Sequence, residues 1–251
     1  MPESIPALRD RHRFAAFGAD AKRADRGYGD RVVLDGAFMR FALAGVVAGV
    51  VLGAAAPALA HPHVWITARA EVAYAANGQV TGIRHAWTFD EAYSAFVTQG
   101  LDKNGDGKLA PDELAELAKV NTESLGEFDY FTVLKANGVK QAFGGPAEPS
   151  MSFEDGKATL RFLLPLKVPA SPKVVSLEVY DPTFFVSFTL ADGEDAVRLA
   201  NGPRGCATTI TRPKPVDVAQ GQRLSESFFD ALTAASNFGA QFSNRALIAC
   251  P

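Results

Sequence analysis

Three dipeptides, Asn77-Gly78, Asn137-Gly138 and Asp155-Gly156, each stand beside or between short runs of alternating apolar residues. Asn, Asp and Gly accept the positive φ that tight hairpin turns require, so such a pair between apolar runs is the strongest short-range β-hairpin signal. Residues 63–89 carry two such runs around the first pair, 130–134 precede the second, and 151–153 with 159–164 flank the third. Runs at 174–180 and 184–190, separated by Pro182, and further short runs at 207–211 and 245–249 continue the pattern. Short strands with a turn signal every ten residues or so predict a mostly β (α+β) fold with a β-sandwich-like body.

Residues 90–126 break the alternation. They read as an inserted helix–loop–helix, with apolar stripes at Ala92, Phe96 and Val97 ahead of the loop and at Leu114, Leu117 and Val120 behind it. Between the stripes, residues 102–113 match D-x-[DN]-x-[DN]-G-x₅-E, the pattern of an EF-hand calcium loop, at every required place. Ca²⁺ is a hard ion that takes six to eight oxygens, and the pattern supplies them. Asp102, Asn104 and Asp106 offer side-chain oxygens, Lys108 its backbone carbonyl, and Glu113 both carboxylate oxygens, while Gly107 permits the sharp turn. Ala110 has no side-chain ligand, Leu109 is expected to face the core, and no second loop of the kind exists, so a weak structural clip is expected. The competing reading is a surface Asx-turn loop without an ion.

The N-terminal quarter has a different character. Met39-Arg40, the apolar and small-residue stretch 41–56, Pro57 and Ala58-Leu59-Ala60 form a basic start, an apolar run and an A-x-A cleavage site, the three parts of a secretory signal peptide. Cleavage after Ala60 gives a periplasmic chain of residues 61–251, a single domain with no membrane span; a retained signal anchor is the competing reading. Residues 1–38 are expected to be a disordered leader, from a start codon assigned too early or from a long n-region. The first 60 residues hold 8 of the 25 Lys and Arg and 6 of the 28 Asp and Glu, leaving the remainder a net charge of about −5. That balance argues against nucleic acid or an anionic membrane as partner. At the other end, Pro213-Lys214-Pro215 is a rigid break, and Leu224, Phe228 and Leu232 mark a C-terminal helix over 218–235.

Export decides how the remaining polar residues read. Cys206 and Cys250 are candidates for a disulfide in an oxidising compartment, against two separate buried thiols. Cleavage would make His61 the first residue, so its amine and imidazole, with His63 and His85, form a candidate site for Zn²⁺, Ni²⁺, Co²⁺ or Cu²⁺. A two-residue turn at Asn77-Gly78 sets His85 opposite Ala70, facing away from His63, so a shared site requires a bulge or bend. The alternatives are a core or sheet-edge histidine at 85 beside Trp87, and an unliganded terminus at 61 and 63. No catalytic set emerges: G-x-S-x-G, H-E-x-x-H and a phosphate-cradling glycine loop are all missing, so the chain does not read as an enzyme. Asp90-Glu91 fits the first turn of the incoming helix, and Asp181 fits the start of a turn between strands, with a polar ligand at a loop tip as its alternative.

The segments His61-Pro62-His63-Val64-Trp65-Ile66, His85-Ala86-Trp87-Thr88-Phe89-Asp90-Glu91 with Tyr93-Ser94, and Glu178-Val179-Tyr180-Asp181-Pro182-Thr183, together with the loop 102–113, resemble a bacterial periplasmic family, domain of unknown function 1007. The resemblance spans essentially all of residues 61–251. It implies a periplasmic component of an ABC-type transport system, with genes near nickel/cobalt-type permeases, and hence metal handling beside an inner-membrane metal permease. The chain lacks the two-lobed body of a solute-binding protein that closes around its ligand. The expectation is therefore an exported calcium-binding accessory of metal transport. The alternative is a calcium-stabilised periplasmic interaction module with no transition-metal role.

Overall fold

A computed structural model describes residues 62–213 and 237–251 of the chain. The leader, the signal segment, His61 and the C-terminal helix expected at 218–235 lie outside those residues. The described chain is mostly β. In order it runs β1 (Val64–Tyr74), β2 (Val80–Phe89), α1 (Glu91–Val97), α2 (Pro111–Ser124), a 3₁₀ turn (Leu125–Phe131) and β3 (Thr132–Ala136). It continues with β4 (Val139–Lys140), β5 (Ala147–Glu154), β6 (Lys157–Ala170), β7 (Val174–Val179), β8 (Val186–Leu190), β9 (Val197–Ala200), β10 (Ala207–Thr211) and β11 (Asn244–Ala249).

These strands form two sheets. The first has the order β5-β6-β2-β1-β8, and β9 takes over the same edge of β1 beyond β8. Val64–Ala68 pair in parallel with Val186–Leu190, then Ala70–Ala73 with Val197–Ala200. The second sheet has the order β10-β11-β7-β3-β4. Burial alternates along the strands because successive side chains of a strand point to opposite faces: Ile66, Ala68, Ala70, Val72 and Tyr74 are buried on β1, and His85, Trp87 and Phe89 on β2.

Trp87 is fully buried, with Phe162 edge-on at 4.9 Å and Phe188 at 5.0 Å between ring centroids, and Phe131 comes from ahead of β3. Each fully buried side chain of that size contributes roughly 2–3 kcal/mol by leaving water. The two sheets also meet through polar groups. The buried Asn244 side chain of β11 accepts the Leu190 N–H at 3.1 Å and donates to the Phe188 carbonyl at 2.6 Å. Cys206 and Cys250, at the near ends of β10 and β11, are joined in a disulfide.

The first hairpin reaches its register in two steps. Ala75 N donates to the Gln79 carbonyl at 2.8 Å, so three residues, Ala76, Asn77 and Gly78, form the loop, with Gly78 at φ +81. That loop alone would offset the pairing by one residue from a two-residue turn. Thr81 bulges out of β2 and cancels the offset, so Ala70 faces His85 as the simple turn required. Gly82 follows the bulge where β6 presses close; a Cβ there would stand 2.7 Å from the Leu164 carbonyl oxygen.

Several expectations need correction. The buried face of α1 is Tyr93, Ser94 and Val97, whereas Phe96 is half exposed and Ala92 exposed. The helix makes only two turns, and the residues that rest on the sheet decide its orientation. In α2 the buried face is Leu114, Ala118, Asn121 and Thr122, while Val120 faces out and Leu117 is half-buried. Leu109 is also only half-buried. The third strand starts at Thr132, since Asp129, Tyr130 and Phe131 hold successive left-handed φ values of +49, +56 and +48. Asp129 accepts such a conformation, but Tyr130 and Phe131 give no turn signal. Strands β4 and β9 are additions, being too short to show a pattern.

Candidate functional site

The segment between β2 and β3 is anchored at both ends. Asp90 caps α1: its Oδ1 accepts the Tyr93 N–H at 2.9 Å and its Oδ2 accepts the Trp65 N–H at 2.9 Å. Asp90 is thus the N-cap, with Glu91 alone in the first turn, and it ties the helix start to β1. Burial, and secondarily the Asp90 charge, raises the Tyr93 hydroxyl above its ordinary pKa. Ser94, fully buried, accepts the Ala158 N–H of β6 at 2.9 Å.

Beyond α1 the chain folds into a closed turn around its own carboxylates. Asp102 accepts the N–H of Gly105 through Oδ1 at 2.7 Å and that of Gly107 through Oδ2 at 2.9 Å. Asn104 Oδ1 accepts from Asp106 N at 2.9 Å, and Asp106 Oδ1 from Lys108 N at 2.8 Å. Gly105 and Gly107 have φ of +72 and +77 with open space where a Cβ would be, so backbone conformation rather than room selects glycine there. Glu113 then reaches back from α2. Its Oε1 accepts the Lys103 N–H at 2.8 Å and its Oε2 the Ala110 N–H at 3.0 Å, and the residue is buried. Because Ala110 has no capping side chain, Glu113 satisfies that helix start, helped by Pro111 in the first turn.

The donor set is all oxygen: three carboxylates, one amide and one backbone carbonyl, which suits a hard divalent cation. Every carboxylate oxygen that accepts one N–H keeps a further acceptor site. The three carboxylates are not gathered on one point, however: among the described residues no group of three His, Cys, Asp or Glu stands where it could hold a metal ion. Their oxygens are turned to the loop's own N–H groups, and Asp106 Oδ2 lies 3.3 Å from the Asn104 amide nitrogen.

The other candidates are dispersed. His85 lies inside the first sheet opposite Ala70, between Trp87 at 5.2 Å and Phe162 at 5.1 Å, with Nε2 3.3 Å from the Thr132 hydroxyl. Burial pushes its pKa down to about 3, so the ring is neutral, and its Nδ1 has no hydrogen-bond partner. His63 precedes β1, where its N–H donates to the Phe185 carbonyl and its ring packs 4.7 Å from Phe185. The structure therefore places His63 and His85 apart. Asp181 is buried and spends its carboxylate on the Thr183 N–H and hydroxyl and on the Val186 N–H, the hydrogen bonding of a turn.

Over residues 46–250 the chain matches the family described as "Protein of unknown function (DUF1007)". It belongs to that family. An uncharacterized 15.5 kDa protein in the trpE 3′ region of Spirochaeta aurantia is 31% identical over 114 residues, which are 45% of this chain and 81% of that protein. An uncharacterized protein of Haemophilus influenzae is 26% identical over 194 residues, 76% of this chain and 92% of its own. Among the described residues no helix is long and apolar enough to cross a membrane.

One group of charged residues is marked by no sequence motif. Arg69, Arg84, Arg161 and Arg198 come from four strands of the first sheet and line one depression on its outer face. Their separation of up to 129 positions hides them, and only strand register brings them together.

Proposed function

We propose that residues 102–113 bind one Ca²⁺ and that the ion clips the helix pair 91–124 against the β-rich, sandwich-like body of an exported protein. The observation that carries this reading is Glu113, the twelfth loop residue, whose carboxylate reaches back across the loop to the Lys103 N–H. It supports an ion-closing role because the residue that must supply two oxygens is already drawn to the mouth of the loop. Asp102, Asn104, Asp106, the Lys108 carbonyl and Glu113 would hold the ion, which supplies positive charge and no bond chemistry. Gathering the carboxylates costs rotation of exposed side chains such as Asp106. With three acidic ligands and an alanine at the ninth place, the expected affinity is that of extracellular modules, a Kd on the order of 10⁻⁴–10⁻³ M.

Thermal and urea unfolding of the full chain, in excess EGTA and in about 10 mM CaCl₂, test the reading. For that affinity range the ion is expected to add about 1.4–2.7 kcal/mol of stability. Glu113→Gln is expected to remove most of the gain, and Mg²⁺ is expected to reproduce little of it, since Mg²⁺ demands a tighter octahedral shell. Identical unfolding curves in calcium and in EGTA would sink the proposal.

A further inference from the structure

The outer face of the first sheet carries two cross-strand rows. In one, Arg161 of β6, Ala86 of β2 and Arg69 of β1 lie side by side, and Ser150 of β5 extends the row beyond Arg161. In the next, Arg84 of β2, Glu71 of β1 and Arg198 of β9 lie side by side. Each row therefore sets two arginines on either side of one central residue. Adjacent strands are ~4.8 Å apart, so the arginines of a row start roughly 10 Å apart. The small Ala86 leaves a dent between the first pair. The whole forms an open depression of about 570 Å³.

Its charge runs against that of the chain. Four of the eight arginines after residue 60 line it and no lysine does, in a protein of formal net charge −3. Glu71, Glu148 and Asp195 are the acidic residues of the lining, so the depression carries a formal charge of about +1. Arg84 pairs with Glu148, Arg69 Nε lies 3.4 Å from Asp195 Oδ2, and Arg161 Nη1 donates to the Ser152 hydroxyl at 2.8 Å. Each of these guanidinium groups is steadied by a neighbour that uses a minority of its five N–H donors. Among the described residues, Arg161 and Arg198 have no carboxylate within ion-pair distance. Arginine, unlike lysine, presents a planar fork of donors matched to a carboxylate.

We propose that this depression binds a small organic dicarboxylate, lying over Ala86 with one carboxylate on Arg161 and the other on Arg69, and with Arg84 and Arg198 adding long-range attraction. Arginine is suited to this because its planar fork meets a carboxylate through two parallel hydrogen bonds. The two forks of a row are spaced for the two ends of such a ligand. The modest net charge fits a dianion better than a highly charged one.

Calorimetric titration of the full chain with sodium succinate, at neutral pH and low salt, tests this. Saturable one-to-one binding that weakens as salt is added is the expected result. The double variant Arg161→Gln, Arg69→Gln is expected to weaken binding about tenfold or more, through loss of both charged contacts. Ala86→Phe fills the dent on a solvent-facing position without changing charge, and a comparable loss is expected. Arg245→Gln, on the second sheet, is expected to leave binding unchanged, and thermal unfolding checks that each variant is folded. Absence of saturable succinate binding would overturn the proposal, as would full affinity in the double variant or in Ala86→Phe. Inorganic phosphate binding as tightly as succinate would overturn the assignment to a carboxylate ligand.

Discussion

The first sheet and the segment 91–124 share a covalent boundary at Asp90 but are held together by different means. On β1, β2 and β6 the buried side chains are almost all apolar, and His85 is the exception. In the segment, five of the ten buried polar or charged residues of the described chain are collected: Ser94, Thr98, Glu113, Asn121 and Thr122. Three of these bond to their own helix backbone, Thr98 to Ser94, Asn121 to Leu117 and Thr122 to Ala118. Such bonds satisfy the groups locally and add little cohesion with the sheet. Ser94 alone of the five bonds across to it, through the Ala158 N–H. A sheet whose apolar face is buried against a second sheet does not depend on an ion, whereas a helix pair with a half-polar underside gains from one. This difference gives the proposed calcium clip a physical purpose.

The comparison can be broken most forcefully at Trp87. Trp87→Ala is expected to cost about 3–5 kcal/mol, measured by urea unfolding, with any calcium-dependent increment retained. Loss of the increment along with the core would show that the two regions are not separate. The calcium increment itself is the next largest effect, and its confinement to 91–124 is the sharper test. Amide protons of α1 and α2 are expected to gain protection with the ion while those of β1 and β2 do not.

His85 provides the third test. The folded ring has a pKa of about 3, against about 6.5 when unfolded, so between those values the unfolded chain binds a proton that the fold excludes. Stability is therefore expected to fall as pH drops through this window. From pH 7 to pH 5 the ring's share is about 2 kcal/mol. His85→Leu is expected to reduce the pH 7 to pH 5 difference in unfolding free energy by that amount; an unchanged difference would place the sensitivity elsewhere. Smallest is Asp90→Ala, which leaves the N–H groups of Tyr93 and Trp65 without their acceptor. About 1–2 kcal/mol is expected, read as faster exchange in α1 more than in the strands.

The parts legible in the sequence are those whose chemistry is local. Asn77-Gly78 marks a hairpin because Gly78 takes the positive φ of the loop, and residues 102–113 mark a turn because the side chains of Asp102, Asn104 and Asp106 accept from N–H groups two to five positions ahead. Helix faces were less legible. A two-turn helix offers too few positions for periodicity to separate Phe96 from Tyr93, and the sheet beneath decides. The corner at 129–131 was not legible either, because Tyr130 and Phe131 have no preference for the left-handed region and Asp129 alone does not mark a run of three such residues. The arginine rows depend on three strand pairings at once, and no short window of sequence contains them.

The three-residue loop and the Thr81 bulge offset one another, and this bears on how such a chain can change length over evolutionary time. Deleting Thr81 would remove the bulge yet leave Val80 opposite Tyr74 and Gly82 opposite Ala73, so Arg84 and His85 would keep their faces. Shortening the loop by one residue would likewise leave those pairs in place, since the loop lies outside the ladder. Single insertions and deletions are therefore expected to be accepted at the loop or at the bulge, and not within the paired stretch 82–89. The bulge is thus a place where β2 can change length while its two faces stay fixed.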